Sequence, residues 1–91
     1  MLQLKINFES NGLFYKQVKR TNKVAMYSVH LREGFPITGF EVIIITVVTP
    51  KAFGKTFSER EHYPSNEEFG KLARSWATLE QAERWYNQLQ Q

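Results

Sequence analysis

The chain reads as one small α+β domain over residues 1–91: a curved, mainly antiparallel sheet of four to five strands with a C-terminal amphipathic helix packed on it. Three observations predict this class. The first fifty residues fall into short runs that alternate apolar and polar, separated by turn residues. Val42 to Val48 is apolar at both parities and β-branched almost throughout, a composition that favours strands because stiff χ1 angles cost more in a helix. Thr78 to Leu89 places apolar residues at helical spacing behind a capping residue.

In the first segment Leu2, Leu4, Ile6 and Phe8 alternate with Gln3, Lys5, Asn7 and Glu9, as in a half-buried strand. Ser10-Asn11-Gly12 supplies a turn, since Asn and Gly both tolerate positive φ. Leu13 to Lys19 is a second extended segment, and Thr21-Asn22 is its hairpin loop to a third, Val24 to Leu31. The apolar face of this third strand shifts from Val24 and Met26 to Tyr27, Val29 and Leu31, which predicts a bulge near Met26. Residues 33–39 form a connection, and Phe40 to Thr49 is the predicted central strand, buried on both faces. One helix covers one face of such a sheet. The other face is covered by curling of the sheet, by segment 50–76, or by another chain such as a second copy, and a domain this small is expected to cover itself.

Thr49-Pro50 ends the central strand. Segment 51–64 has no steady period and is long for a connection, as functional loops often are. In 65–76, Ser65 with Glu68 fits a capping box, whereas Leu72, Arg74 and Trp76 alternate as a strand would. One helical turn near 66–70 followed by a short strand is expected, with a helical hairpin as the alternative. In the final helix Thr78 is the N-cap and Gln81 its partner. Leu79, Ala82, Trp85, Tyr86 and Leu89 share a face, and Glu80 with Arg84 forms an i,i+4 pair opposite.

Composition narrows the function classes. There is no cysteine, so disulfides, thiolate catalysis and cysteine-based zinc sites are excluded. The longest apolar run is too short to span a bilayer and the N-terminus lacks the pattern of a signal peptide, so no membrane partner is expected and a cytoplasmic location is. The net charge of +3 is unevenly spread. Residues 1–32 carry six cations against Glu9, or +5, residues 33–58 balance, and residues 59–91 carry six glutamates against four cations, or −2. A basic front and an acidic back orient a molecule toward polyanions.

Phe53-Gly54-Lys55, Arg60 through Gly70, and Thr78-Leu79-Glu80 with Ala82 resemble small uncharacterised proteins carried by bacterial phages and other mobile elements. The resemblance covers about the last forty residues. It implies a setting, and no activity or site residue.

Two binding sites are candidates. The first is a basic aromatic hairpin of Tyr15, Lys16, Lys19, Arg20, Lys23, Tyr27 and Arg32, with Phe14 beside them. Cations release counterions from phosphates, and aromatic faces stack on unpaired bases, so the mixture suits single-stranded DNA or RNA. It equally describes an edge hairpin kept soluble by lysines with its aromatics in the core, and +3 is low for a dedicated polyanion binder. On the nucleic-acid reading, charge reversal at Lys16, Lys19 and Arg20 removes binding while the fold survives. The second candidate is the loop residues Phe53, Lys55 and Arg60, facing a host protein that the chain inhibits or adapts. Glu59, Glu61 and His62 lie close together, but no nucleophile, glycine-rich phosphate loop or plausible metal-ligand set accompanies them, so no catalytic residue, metal or cofactor is expected. The chain is thus expected to be a small non-enzymatic binding module.

Overall fold

Asn11 and Gly12 both take positive φ, 53° and 79°, and join β1 (Asn7–Ser10) to β2 (Leu13–Arg20) in a two-residue loop. Positive φ at both loop positions matches the right-handed twist of the flanking strands, which is why Asn-Gly is favoured there. β3 (Val24–His30) and β4 (Ile37–Ile44) continue the meander, and β9 (Ala73–Trp76) pairs antiparallel with β4. The result is a five-stranded antiparallel sheet in the order β1-β2-β3-β4-β9. Between β4 and β9, β5 (Thr46–Val48) pairs with β8 (Arg60–His62), and β6 (Lys51–Ala52) with β7 (Lys55–Thr56). The helix α1 (Leu79–Leu89) follows β9 directly. This computed structural model describes residues 3–49, 51–52, 54–56, 59–64 and 70–89. The expected helical turn at 66–70 lies mostly outside them, whereas the short strand after it is present as β9.

Helix α1 packs on β3, β4 and β9. Its Ala82 and Tyr86, with Trp85 and Leu89 beside them, meet Val24, Met26, Phe40 and Val42. The Thr78 hydroxyl accepts the Gln81 amide at 3.3 Å, as its N-cap role requires. The opposite face is closed by the chain itself. Leu4 and Tyr63 lie with Phe8 and Leu13 over Tyr15, Ala25, Tyr27, Val29, Ile43, Ile45 and Ala73. Phe8 stacks on Tyr15 at 4.8 Å and meets Tyr27 and Tyr63 edge-on at 5.5 and 5.1 Å. Tyr27, Met26, Ile43, Val24 and Val42 are essentially without solvent contact. Burying each such side chain stabilises the fold by roughly 1.5–3 kcal/mol.

Four expectations change. β3, not the 40–49 segment, is the middle strand, and that segment divides at Ile45 between two sheets. β3 does not switch faces: Val24 and Met26 face the helix while Ala25, Tyr27 and Val29 face the aromatic layer, because both sides are covered. The bulge sits on the partner strand instead, where the register jumps from Gln17↔Tyr27 to Lys19↔Met26 and leaves Val18 over. The first strand begins only at Asn7, and Ile6 is 63% exposed while Leu4 turns into the core.

Candidate functional site

The basic hairpin disperses once it is folded. Tyr15 is buried and Tyr27 wholly so, and the Tyr27 hydroxyl donates to the Lys5 carbonyl at 2.8 Å. Neither ring offers a face to a base. Arg20 lies at the end of β2 and makes two hydrogen bonds of 2.6 Å, one to each oxygen of Glu61. Glu61 Oε1 also accepts the Leu4 amide at 2.9 Å. Bidentate guanidinium–carboxylate pairing is strong and directional, and here it joins β2, β8 and the N-terminal segment. The Arg20 hydrogen bond holds the Glu61 carboxyl below the usual carboxylate range. Lys19 reaches Glu83 on the helix at 3.3 Å and lies 4.7 Å from the centre of the Tyr86 ring. Lys16, Lys23 and Arg32 remain exposed, but Lys23 lies in the β2–β3 turn and Arg32 beyond the far end of β3. Seven residues of strand separate those ends by roughly 23 Å. Reversing charge at Arg20 would break its pairing with Glu61, so that variant would not separate binding from folding, and the exposed cations to alter are Lys16, Lys23 and Arg32.

In the other candidate, Arg60 is exposed on β8, whereas Phe53 and the Lys55 side chain lie outside what the structure describes.

The surface that emerges instead is the β3–β4 tip, residues 31–36 with Ile37. Leu31, Phe35 and Ile37 are 57%, 48% and 52% exposed. The turn is built by the Phe35 amide donating to the Arg32 carbonyl at 3.0 Å, with Gly34 at φ 84° in the third position. That is where a type II turn needs positive φ, and where glycine adopts it without strain. His30 then fastens the turn to β3. Its Nδ1 lies 2.6 Å from the Phe35 carbonyl, which can only accept, so Nδ1 carries the proton. Its Nε2 lies 2.8 Å from the Ser28 hydroxyl, which is also 3.3 Å from the Lys16 carbonyl and can donate its one proton to either. Such an arrangement would activate an accessible serine. Ser28, however, is 3% exposed and lines neither the cleft at the helix nor the groove beside β1, so these bonds orient the tip. Thr38 adds a hydrogen bond to the Val29 carbonyl at 3.0 Å. No single residue type marks this tip in the sequence. Its signal is three large apolar residues among seven at a position that the flanking strands turn into a hairpin end.

A second feature lies at the helix. Trp76 and Trp85 pack with ring centres 6.1 Å apart, Arg74 lies 5.3 Å from the Trp85 ring centre, and a shallow cleft of about 200 Å³ opens between them and Gln81, Arg84 and Gln88. Trp76 is thus half core and half cleft wall, and its indole N–H is buried without a hydrogen-bond partner among the described residues. Among the described residues no helix is long and apolar enough to cross a membrane. Comparison with protein-family models, with curated proteins and with solved structures finds no match.

Proposed function

We propose that this protein is a small non-enzymatic module that binds another protein through the β3–β4 tip. The observation that carries this reading is the grouping of Leu31, Phe35 and Ile37, each about half exposed, on one hairpin end. Grouped apolar side chains in water mark interaction sites more often than scattered ones do. The tip is also held by the Gly34 turn and the His30 bonds, so little chain entropy remains to be lost when a partner docks. The resemblance of the C-terminal forty residues to phage and mobile-element proteins fits a module that docks on a host complex. Single-strand nucleic-acid binding has less support, because Tyr15 and Tyr27 are in the core and the exposed cations are spread along the sheet.

The test is photo-crosslinking in cells, with a benzophenone amino acid at position 35 and, as control, at Lys23, which is also exposed. Position 35 is expected to give a discrete protein adduct that disappears in the Leu31→Ser, Ile37→Ser double variant. Adducts that are identical at 35 and 23 would refute the tip. Salt-sensitive binding to labelled single-stranded DNA or RNA, abolished by reversing Lys16, Lys23 and Arg32, would return the nucleic-acid reading.

A further inference from the structure

On the sheet face opposite the helix, a groove of about 680 Å³ runs between β1 and the segment from Arg60 to Pro64. Phe8 and Tyr63 form its apolar floor. Among the described residues β1 is one of the two terminal strands of the sheet, with β9 at the other side. Its pairing to β2 is in phase with the Ile6 carbonyl, which accepts the Gln17 amide at 2.7 Å, and the register continues through Phe8↔Tyr15 and Ser10↔Leu13. In an antiparallel ladder every second residue gives its N–H and C=O to the neighbouring strand and the residues between turn theirs outward. Asn7 and Glu9 are those between, so their main-chain donors and acceptors point to the free edge that the groove flanks.

Charge gives the site a preference. Lys5 and Arg60 stand exposed on its two sides, while Glu61, which also lines it, is already engaged by Arg20 and the Leu4 amide. Glu9 is the remaining acid among the lining residues. We propose that the β1 edge and this groove bind an extended peptide segment of a partner protein, apolar in its centre and acidic at the end that lies beside Lys5 and Arg60, by adding it to the sheet as a sixth strand. Main-chain bonds to Asn7 and Glu9 would set its register, its inward side chains would cover Phe8 and Tyr63, and a carboxylate at one end would meet Lys5 and Arg60, which the Leu4–Glu61 contact brings to the same end of the groove. This surface is separate from the β3–β4 tip and stands without it.

The probe is a fluorescein-labelled seven-residue peptide in which valine alternates with threonine and a glutamate closes each end, followed by anisotropy. It should bind the intact protein. Roughly tenfold weaker binding is expected for a version with proline at its centre and for one closed by lysines. Arg60→Glu should weaken the glutamate-ended peptide by a similar factor and improve the lysine-ended one. Glu9→Pro removes an outward amide without touching the β2 ladder, and should also weaken binding. If that variant fails to fold, the Arg60 swap and the slowed exchange of the Asn7 and Glu9 amides on peptide addition decide. No binding by the parent peptide, or equal binding of the parent and proline versions, overturns the proposal. The Leu31→Ser, Ile37→Ser variant should bind the peptide unchanged, so the tip and the groove can fail independently.

Discussion

Glu41 shows how much one residue's role depends on what the chain brings over it. It sits in the interior of β4, 6% exposed, where the hydroxyls of Tyr63 and Ser75 donate to its carboxylate. Burial pushes its carboxyl above the usual carboxylate range, and the two hydrogen bonds oppose the shift less strongly. The folded chain therefore holds this proton more tightly than the unfolded chain. The stability it contributes is complete below the unfolded-chain value and is lost as pH rises through the folded-state value. Glu41→Gln is expected to be more stable than the parent at pH 8 and to lose that advantage toward pH 4, where the parent also holds the proton. Urea unfolding at the two pH values checks this, and parallel behaviour of both proteins would sink it. In the sequence Glu41 is an ordinary polar residue beside an apolar run. Its neighbours Tyr63 and Ser75 lie 22 and 34 residues away, and nothing local announces them.

Among the elements, those governed by nearby residues were legible and those governed by distant partners were not. Asn11-Gly12 forms its turn and Thr78 caps its helix because φ preference and side-chain reach act over a few residues. The Val18 bulge depends on which β3 residue lies opposite, so its effect was read on the wrong strand. β8 is held chiefly from outside itself: three residues long, it pairs with β5 and is fastened to β2 by Arg20. Arg20 is one-fifth exposed and Glu61 only 7%, which makes the pair nearly buried. Removing one partner of a buried pair strands the other charge. Arg20→Ala is accordingly expected to lower stability by about 2–3 kcal/mol, below the roughly 3–5 kcal/mol of a fully buried pair because solvent reaches the arginine. Because Glu61 titrates below the usual range, the clamp's contribution is present above the unfolded carboxylate value and is lost as pH falls through the folded-state one. An unchanged unfolding midpoint in Arg20→Ala at pH 7 would show that the clamp contributes nothing.

At the scale of the whole molecule, one sheet separates two apolar layers, and β3 and β4 are the strands buried in both. Amides there can exchange only when both layers open, whereas β1 and β8 have an uncovered side. Hydrogen exchange is expected to be slowest at Ala25 to Ser28 and at Val42 and Ile43, and much faster in β1 and β8. Slowest exchange in α1 or β8 would contradict this two-layer arrangement. The arrangement also decides what is left for partners. With both faces covered, the accessible features among the described residues include the sheet's β1 edge, the groove beside it, the Trp76–Trp85 cleft, and the hairpin tip at Leu31, Phe35 and Ile37.

The α+β class, the β1–β2 turn, the C-terminal helix with its buried face and the need to cover both sides of the sheet all follow from the order of residues alone. Periodicity, φ preference and capping act within a few residues, and they are written locally. Long-range packing placed Leu4 and Tyr63 over the second face, put Tyr15 and Tyr27 in the core rather than on a stacking platform, and made Arg20 a clamp. It also decided that Leu31, Phe35 and Ile37 stay in solvent. An apolar or cationic side chain looks the same in sequence whether it is buried, paired or exposed. Which of these it becomes depends on what the rest of the chain has already covered.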